Sequence, residues 1–282
     1  MKVIFSRKGF DSSAGGSPSP IVDGEPCSFP IPGGRSTRYR DLRNRAGVLV
    51  EQLTPCTGDQ YCHLDPDIDP CALARRPGWR GAFGQVRAAQ GHLKRQGVGA
   101  GDLFLFWGWF RQAQFNGRWS YTGDSEHRLF GWLQVAEVLN IANQPQEACE
   151  RYPWLVDHPH LNGGPWPPSN TVYLASETLE LPSHSSDLPG SGVFKRGRRL
   201  TAPGATRSKW IVPDWLNPKH GGVGLSHSCA RAECWDAVGH LTVGPGQEFV
   251  ANIAGRDDAF AWLRELFREE HSLRLCTARA ST

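Results

Sequence analysis

The chain has little net charge, no long apolar run and no close cysteine pair, and each absence removes a class of explanation. Its 31 Lys and Arg against 28 Asp and Glu leave a formal charge of +3, so no polybasic field draws it to nucleic acid indiscriminately. Any such binding must use local patches, for which Arg35 to Arg45, Arg75 to Arg80 and Lys195 to Arg199 are candidates. Each patch reads equally well as solvated loop charge. The longest apolar stretch, Leu103 to Phe110, is far below a membrane span. Near the start, Lys2 is followed only by Val3, Ile4 and Phe5 before Ser6-Arg7-Lys8, too short a run for a secretory leader, so a cytoplasmic protein without a membrane partner is expected. The 8 cysteines contain no CxxC pair and read as small buried hydrophobes in a reducing compartment. Cys56, Cys62, His63 and Cys71 have the spacing of no common zinc knuckle.

What is present is a globular chain with 39% apolar residues, enough for a substantial core. A single elaborated α+β domain is expected over residues 1–270, with a frayed tail at 271–282. Its centre runs from Gly84 to Val138. Val86, Ala89 and Leu93 recur at steps of three and four, which predicts an amphipathic helix starting at Gln85. The Gly97 to Asp102 turn stops it. Leu103 to Phe110 and Leu129 to Val138, aromatic and β-branched, predict two strands apolar on both faces. Between them Gln112 to Glu126 reads as a decorated loop with turn formers at Asn116-Gly117 and Gly123-Asp124. Further strands are expected at Lys2 to Ser6 and Asn170 to Ser176, and a helix at Asp258 to Glu269.

Three segments carry chemistry. After the first strand, SRKGFDSSAGGSPSPI combines cations, hydroxyls and glycines, the ingredients of an anion-cradling loop in which Ser6, Arg7, Lys8, Ser12 and Ser13 bind substrate and Asp11 supplies acid/base chemistry. It is not a P-loop, because the Lys precedes the glycines. In DQYCHLDPDIDP, His63 and Asp65 (with Asp67 and Asp69) set an imidazole beside carboxylates suited to acid/base work or a divalent cation. His158 and His160 share one side of an extended chain and are candidate ligands of a divalent transition metal. Gln85, Trp107, Trp109, His127 and Trp132 are candidates for a base-binding wall, since 11 tryptophans are many. Each has a plainer reading as turn, solvated loop or core.

Two resemblances follow from these words. Gln85-Val86-Arg87 with Gln90, Gly101-Asp102 before LFLFW, and His127-Arg128-Leu129-Phe130-Gly131 resemble the core of the PUA-like superfamily, in its EVE, ASCH and YTH branches. That implies a curved sheet or small β-barrel with flanking helices and long loops, holding nucleic acid or a modified base. SRKGFDSSAGGSPSPI, GDLFLFWGWFR, HRLFGWLQV, HPHL and GQEFV resemble the third of the nucleotide-modification-associated domain families, from Lys2 to about Val250. This implies a pathway of nucleotide or DNA base modification and carries over no catalytic residue. An enzyme or accessory protein acting on a nucleotide or modified base is the first reading. A non-catalytic reader of a modified base or nucleic acid is the second, and a structural interaction protein the third.

Overall fold

Alternation along two strands sets the architecture. In the computed structural model, Val3 and Phe5 enter one core while Ile4 enters another. Leu103, Leu105 and Trp107 likewise face the first core while Phe104, Phe106 and Phe110 face the second, as the period of two along a strand requires. The structure describes residues 1–142, 144–162, 164–182, 184–227 and 232–280, with the backbone alone at 184–186, 232 and 275–280.

In chain order the elements are β1 (Lys2–Arg7), β2 (Ser19–Val22), β3 (Glu25–Pro26), β4 (Ile31–Arg38), α1 (Arg45–Leu53), β5 (Tyr61–His63), β6 (Ala82–Gln85), α2 (Arg87–Arg95), β7 (Leu103–Phe115) and β8 (Trp119–Asn140). There follow α3 (Pro145–Arg151), α4 (Pro159–Asn162), β9 (Thr171–Ala175), β10 (Thr178–Leu181), β11 (His184–Pro189), β12 (Ser191–Val193), β13 (Lys209–Trp210), β14 (Leu241–Thr242), β15 (Glu248–Asn252) and α5 (Asp257–Ala280). The α+β class holds. One mixed sheet runs β15-β1-β7-β8-β9-β6, with β12 on β8 and the β2–β3 hairpin on β7. Strands β1 and β2 are both parallel to β7, and β15 is antiparallel to β1, pairing Lys2 with Asn252 and Ser6 with Glu248. The opening strand, the two central strands and the strand near Asn170 therefore share one sheet, as expected.

Among the described residues the sheet does not close into a barrel. Strand β6 is only four residues long, and the chain leaves it at Val86 to start α2, so no backbone remains to pair with β15. The helix packs beside β15 instead, and the edges touch through the Gln85 amide, which donates to Glu248 Oε1 at 2.7 Å. Gln85 thus sits in a strand opposite Thr171, not at the helix start. The decorated loop is also mostly strand: β7 and β8 pair out to Phe115 and Trp119, leaving a tight turn at Asn116-Gly117, where Gly117 takes φ 75°. The final helix continues to Ala280 through the residues expected to fray. Its buried Glu270 accepts from the Lys195 backbone and holds Arg274.

The first core lies between the sheet and α5 and takes in Trp107, Trp132, Trp210 and Trp235. The second is enclosed by the curl of the sheet and by Leu93 of α2. No helix among the described residues is long and apolar enough to cross a membrane.

Candidate metal centre

Two short pairs of residues, each spaced by two, meet at the mouth of the curled sheet. His63 ends β5 and Asp65 follows it, while His158 and His160 flank the start of α4. Asp65 Oδ2 lies 4.0 Å from His63 Nε2 and 3.8 Å from His160 Nε2. Its Oδ1 lies 3.5 Å from His158 Nε2. The donor atoms of His63, Asp65 and His160 all fall within 4.8 Å of one another, a spacing that can hold a metal ion.

The surrounding bonds assign different roles to the three imidazoles. His160 Nδ1 is 2.6 Å from Asn170 Oδ1, and the Asn170 amide donates to the His160 carbonyl at 2.9 Å. That network fixes the amide orientation, puts the imidazole proton on Nδ1 and leaves the Nε2 lone pair toward Asp65. The ring is stacked on Trp166, with centroids 4.5 Å apart and planes 5° apart. His158 is the reverse case: its Nδ1 accepts the His160 backbone N–H at 3.3 Å, so its proton resides on Nε2, beside Asp65. His158 Nε2 faces the carboxylate from 3.5 Å without a hydrogen bond to it, while Oδ1 accepts the Gly84 N–H at 2.7 Å. A methyl at Gly84 would occupy the space of the His160 ring, which explains why β6 has glycine there.

Electrostatics keep the three donors in their ligand forms. Burial raises the Asp65 carboxyl, but His158 and the other neighbouring imidazoles hold it down at about 2. Burial lowers His160 to about 4, with Asp65 opposing and His158 adding to the shift. Burial likewise lowers His63. Near neutral pH the set is one carboxylate and two unprotonated ring nitrogens.

The cluster borders a cleft of about 610 Å³ also lined by Arg7, Lys8, Asp11, Ser13, Gln85, Arg87 and Glu248. The loop after β1 thus lies against the site. Asp11 shapes this loop: its Oδ1 accepts from Ser13 N, Ser13 Oγ and Ala14 N at 2.7 to 2.8 Å. Lys8 reaches Glu248 Oε1 at 2.7 Å. Ser12, Trp107, Trp109 and His127 line a second, smaller cavity, with Arg7 and Asp11 shared between the two. Ser6 is fully buried in β1. Trp132 belongs to the core, packed on Phe194 and Phe267, and lines neither space.

Sequence reasoning missed Gly84, Trp166, Asn170 and Glu248. The Asn170 contact needs the loop after α4 to double back, and Glu248 enters only through β15 pairing; neither leaves a local signature. The family described as nucleotide modification associated domain 3 matches residues 2–252. No curated protein and no solved structure matches the chain.

Proposed function

The chain belongs to the nucleotide modification associated domain 3 family, and on that footing we propose that it is a metal-dependent enzyme acting on a nucleotide or its base. The observation that carries this reading is the convergence of His63, Asp65 and His160 on one point at the edge of a large cleft. Two imidazoles and one carboxylate suit iron, manganese or zinc, with positions left open for substrate and for water or oxygen. A bound ion would supply Lewis acidity or an activated oxygen ligand. The chain's own groups do the rest: Asn170 and Trp166 fix the His160 ring, and the Gly84 N–H fixes Asp65, which His158 faces. Arg7, Lys8 and Arg87 give the cleft a cationic margin for phosphate.

The test is metal analysis of protein purified without chelator. Wild type is expected to carry near-stoichiometric transition metal, and His63→Ala and His160→Ala to lose it. His158→Ala is expected to retain it with an affinity about 10- to 100-fold lower, as for residues that adjoin a ligand. Metal-free wild type would sink the proposal.

A second reading, a non-catalytic base reader on a PUA-like module, is favoured by the approach of the two sheet edges through Gln85 and Glu248 and by the aromatic wall of Trp107 and Trp109. Its mark would be metal-free protein that still binds a base, since stacking and edge hydrogen bonds need no ion.

A further inference from the structure

The smaller cavity is separated from the metal cleft by two stretches of chain that border both. In the loop after β1, Lys8, Gly9, Ser13 and Ala14 line the metal cleft while Phe10 and Ser12 line the smaller cavity. In the segment leading into β15, Gly246 to Glu248 line the cleft and Val243 to Pro245 the cavity. Arg7 and Asp11 line both spaces.

The cavity's lining differs from that of the cleft. Its volume is about 330 Å³, within the range of sites that take a small planar ligand. Trp107 and Trp109 form one wall, and the indole N–H of each is buried without a hydrogen-bond partner. The Arg207 guanidinium lies over the Trp109 ring at 4.2 Å, which presents a cationic plane on which a further ring can stack. His127 Nδ1 already accepts the Trp210 indole N–H at 3.0 Å, so that side of the imidazole is committed to the protein. The cavity therefore offers stacking planes and two guanidinium groups, with one carboxylate, Asp11. That carboxylate is occupied by its own loop and by Arg7 at 3.6 Å.

We propose that this cavity holds the nucleotide adjoining the one in the metal cleft, so that the substrate is a polynucleotide strand and not a free nucleotide. One base lies in each space, and the phosphate that links them crosses the partition at Arg7. Stacking on the guanidinium plane of Arg207, itself backed by Trp109, accepts any base. This proposal rests on the reading of the cleft as a nucleotide site, but it assigns different residues and fails by a different measurement.

The experiment compares binding of fluorescein-labelled mixed-sequence hexanucleotides, one DNA and one RNA, by anisotropy, with competition by a mixture of nucleoside monophosphates. The wild-type protein is expected to bind at least one hexanucleotide about tenfold or more tightly than any monophosphate, the size of effect a single stacked base supplies. Arg207→Ala and Trp109→Leu should each weaken the hexanucleotide about tenfold and leave monophosphate competition and metal content unchanged. Arg207→Lys, which keeps the charge and loses the plane, should recover the salt dependence but not the full affinity. The DNA and RNA arms tell which polymer is used. Equal binding of hexanucleotides and monophosphates, or equal weakening of both by Arg207→Ala, would overturn the proposal. Selective loss of hexanucleotide binding in a metal-free protein would uphold it while removing the metal-dependent reading.

Discussion

One added methyl group, Gly84→Ala, tests the geometry of the metal centre without touching a ligand. A Cβ on Gly84 would stand 2.5 Å from His160 Nε2 and nearer still to the ring carbons. Unstrained contact between such atoms needs about 3.5 Å, so the ring must retreat by roughly 1 Å. It cannot do so freely, because Trp166 is stacked on it at 4.5 Å and Asn170 holds Nδ1 at 2.6 Å. A metal–nitrogen bond tolerates displacements of only about 0.2 Å, so the His160 ligand is lost and metal affinity falls by at least about 100-fold. The overpacking itself should destabilise the fold by about 1–3 kcal/mol. Gly84 does not have a left-handed φ, so the cost is steric and vanishes once the ring is gone. In a His160→Ala background the same substitution should therefore cost little, giving a coupling of about 1–3 kcal/mol in a double-mutant cycle. Denaturant unfolding of the four proteins, with metal analysis of wild type and Gly84→Ala, measures both quantities. Additive stabilities, or a Gly84→Ala protein that keeps a full complement of metal, would refute the reasoning.

Two further predictions use groups away from the cluster. Burial, with Arg207 and Arg7, lowers His127 to about 3, so below its ordinary value of 6.5 the unfolded chain takes up a proton that the folded chain refuses. Stability attributed to His127 is complete above that value and falls by about 1.4 kcal/mol per unit as pH drops toward the folded value; His127→Gln, which retains an acceptor for Trp210, should show a shallower acid limb by urea titration, and identical limbs would contradict it. The buried Asp67 carboxylate is gripped by both Arg75 guanidinium nitrogens at 2.6 and 2.8 Å. Arg75→Ala should cost about 3–5 kcal/mol by leaving that charge unpaired, with part recovered by adding Asp67→Asn; a loss under about 1 kcal/mol would mean the pair is screened as surface pairs are.

Legibility in the sequence followed the range of the interaction. Strands β7, β8 and β9 announce themselves because their aromatic and β-branched residues are buried on both faces of one sheet. Strand β6 does not, since Ala82-Phe83-Gly84-Gln85 has weak β-propensity and is a strand only because β9 lies beside it. The pairs His63/Asp65 and His158/His160 could be read as local donor sets, and the loop after β1 as a binding segment. That the two pairs face each other depends on β6 pairing with β9, which sets Gly84 between Asp65 and His160, a long-range fact with no local trace. The role of His158 was also out of reach, because the backbone N–H that sets its tautomer comes from the turn into α4. Trp132 and Trp107 share a face of the sheet, yet only Trp107 lies where the coverings at 207–208 and 243–245 leave space.

The β1–β15 ladder begins on the rung Lys2–Asn252, and the family match begins at residue 2 and ends at residue 252. The matched region thus enters and leaves the fold at one point, like a loop of string held by a single knot. A unit whose two ends lie together can be spliced into another protein's surface turn, or carry extra modules on either side, without any strand being pulled out of its sheet. Helix α5 leaves from that point and closes over the first core.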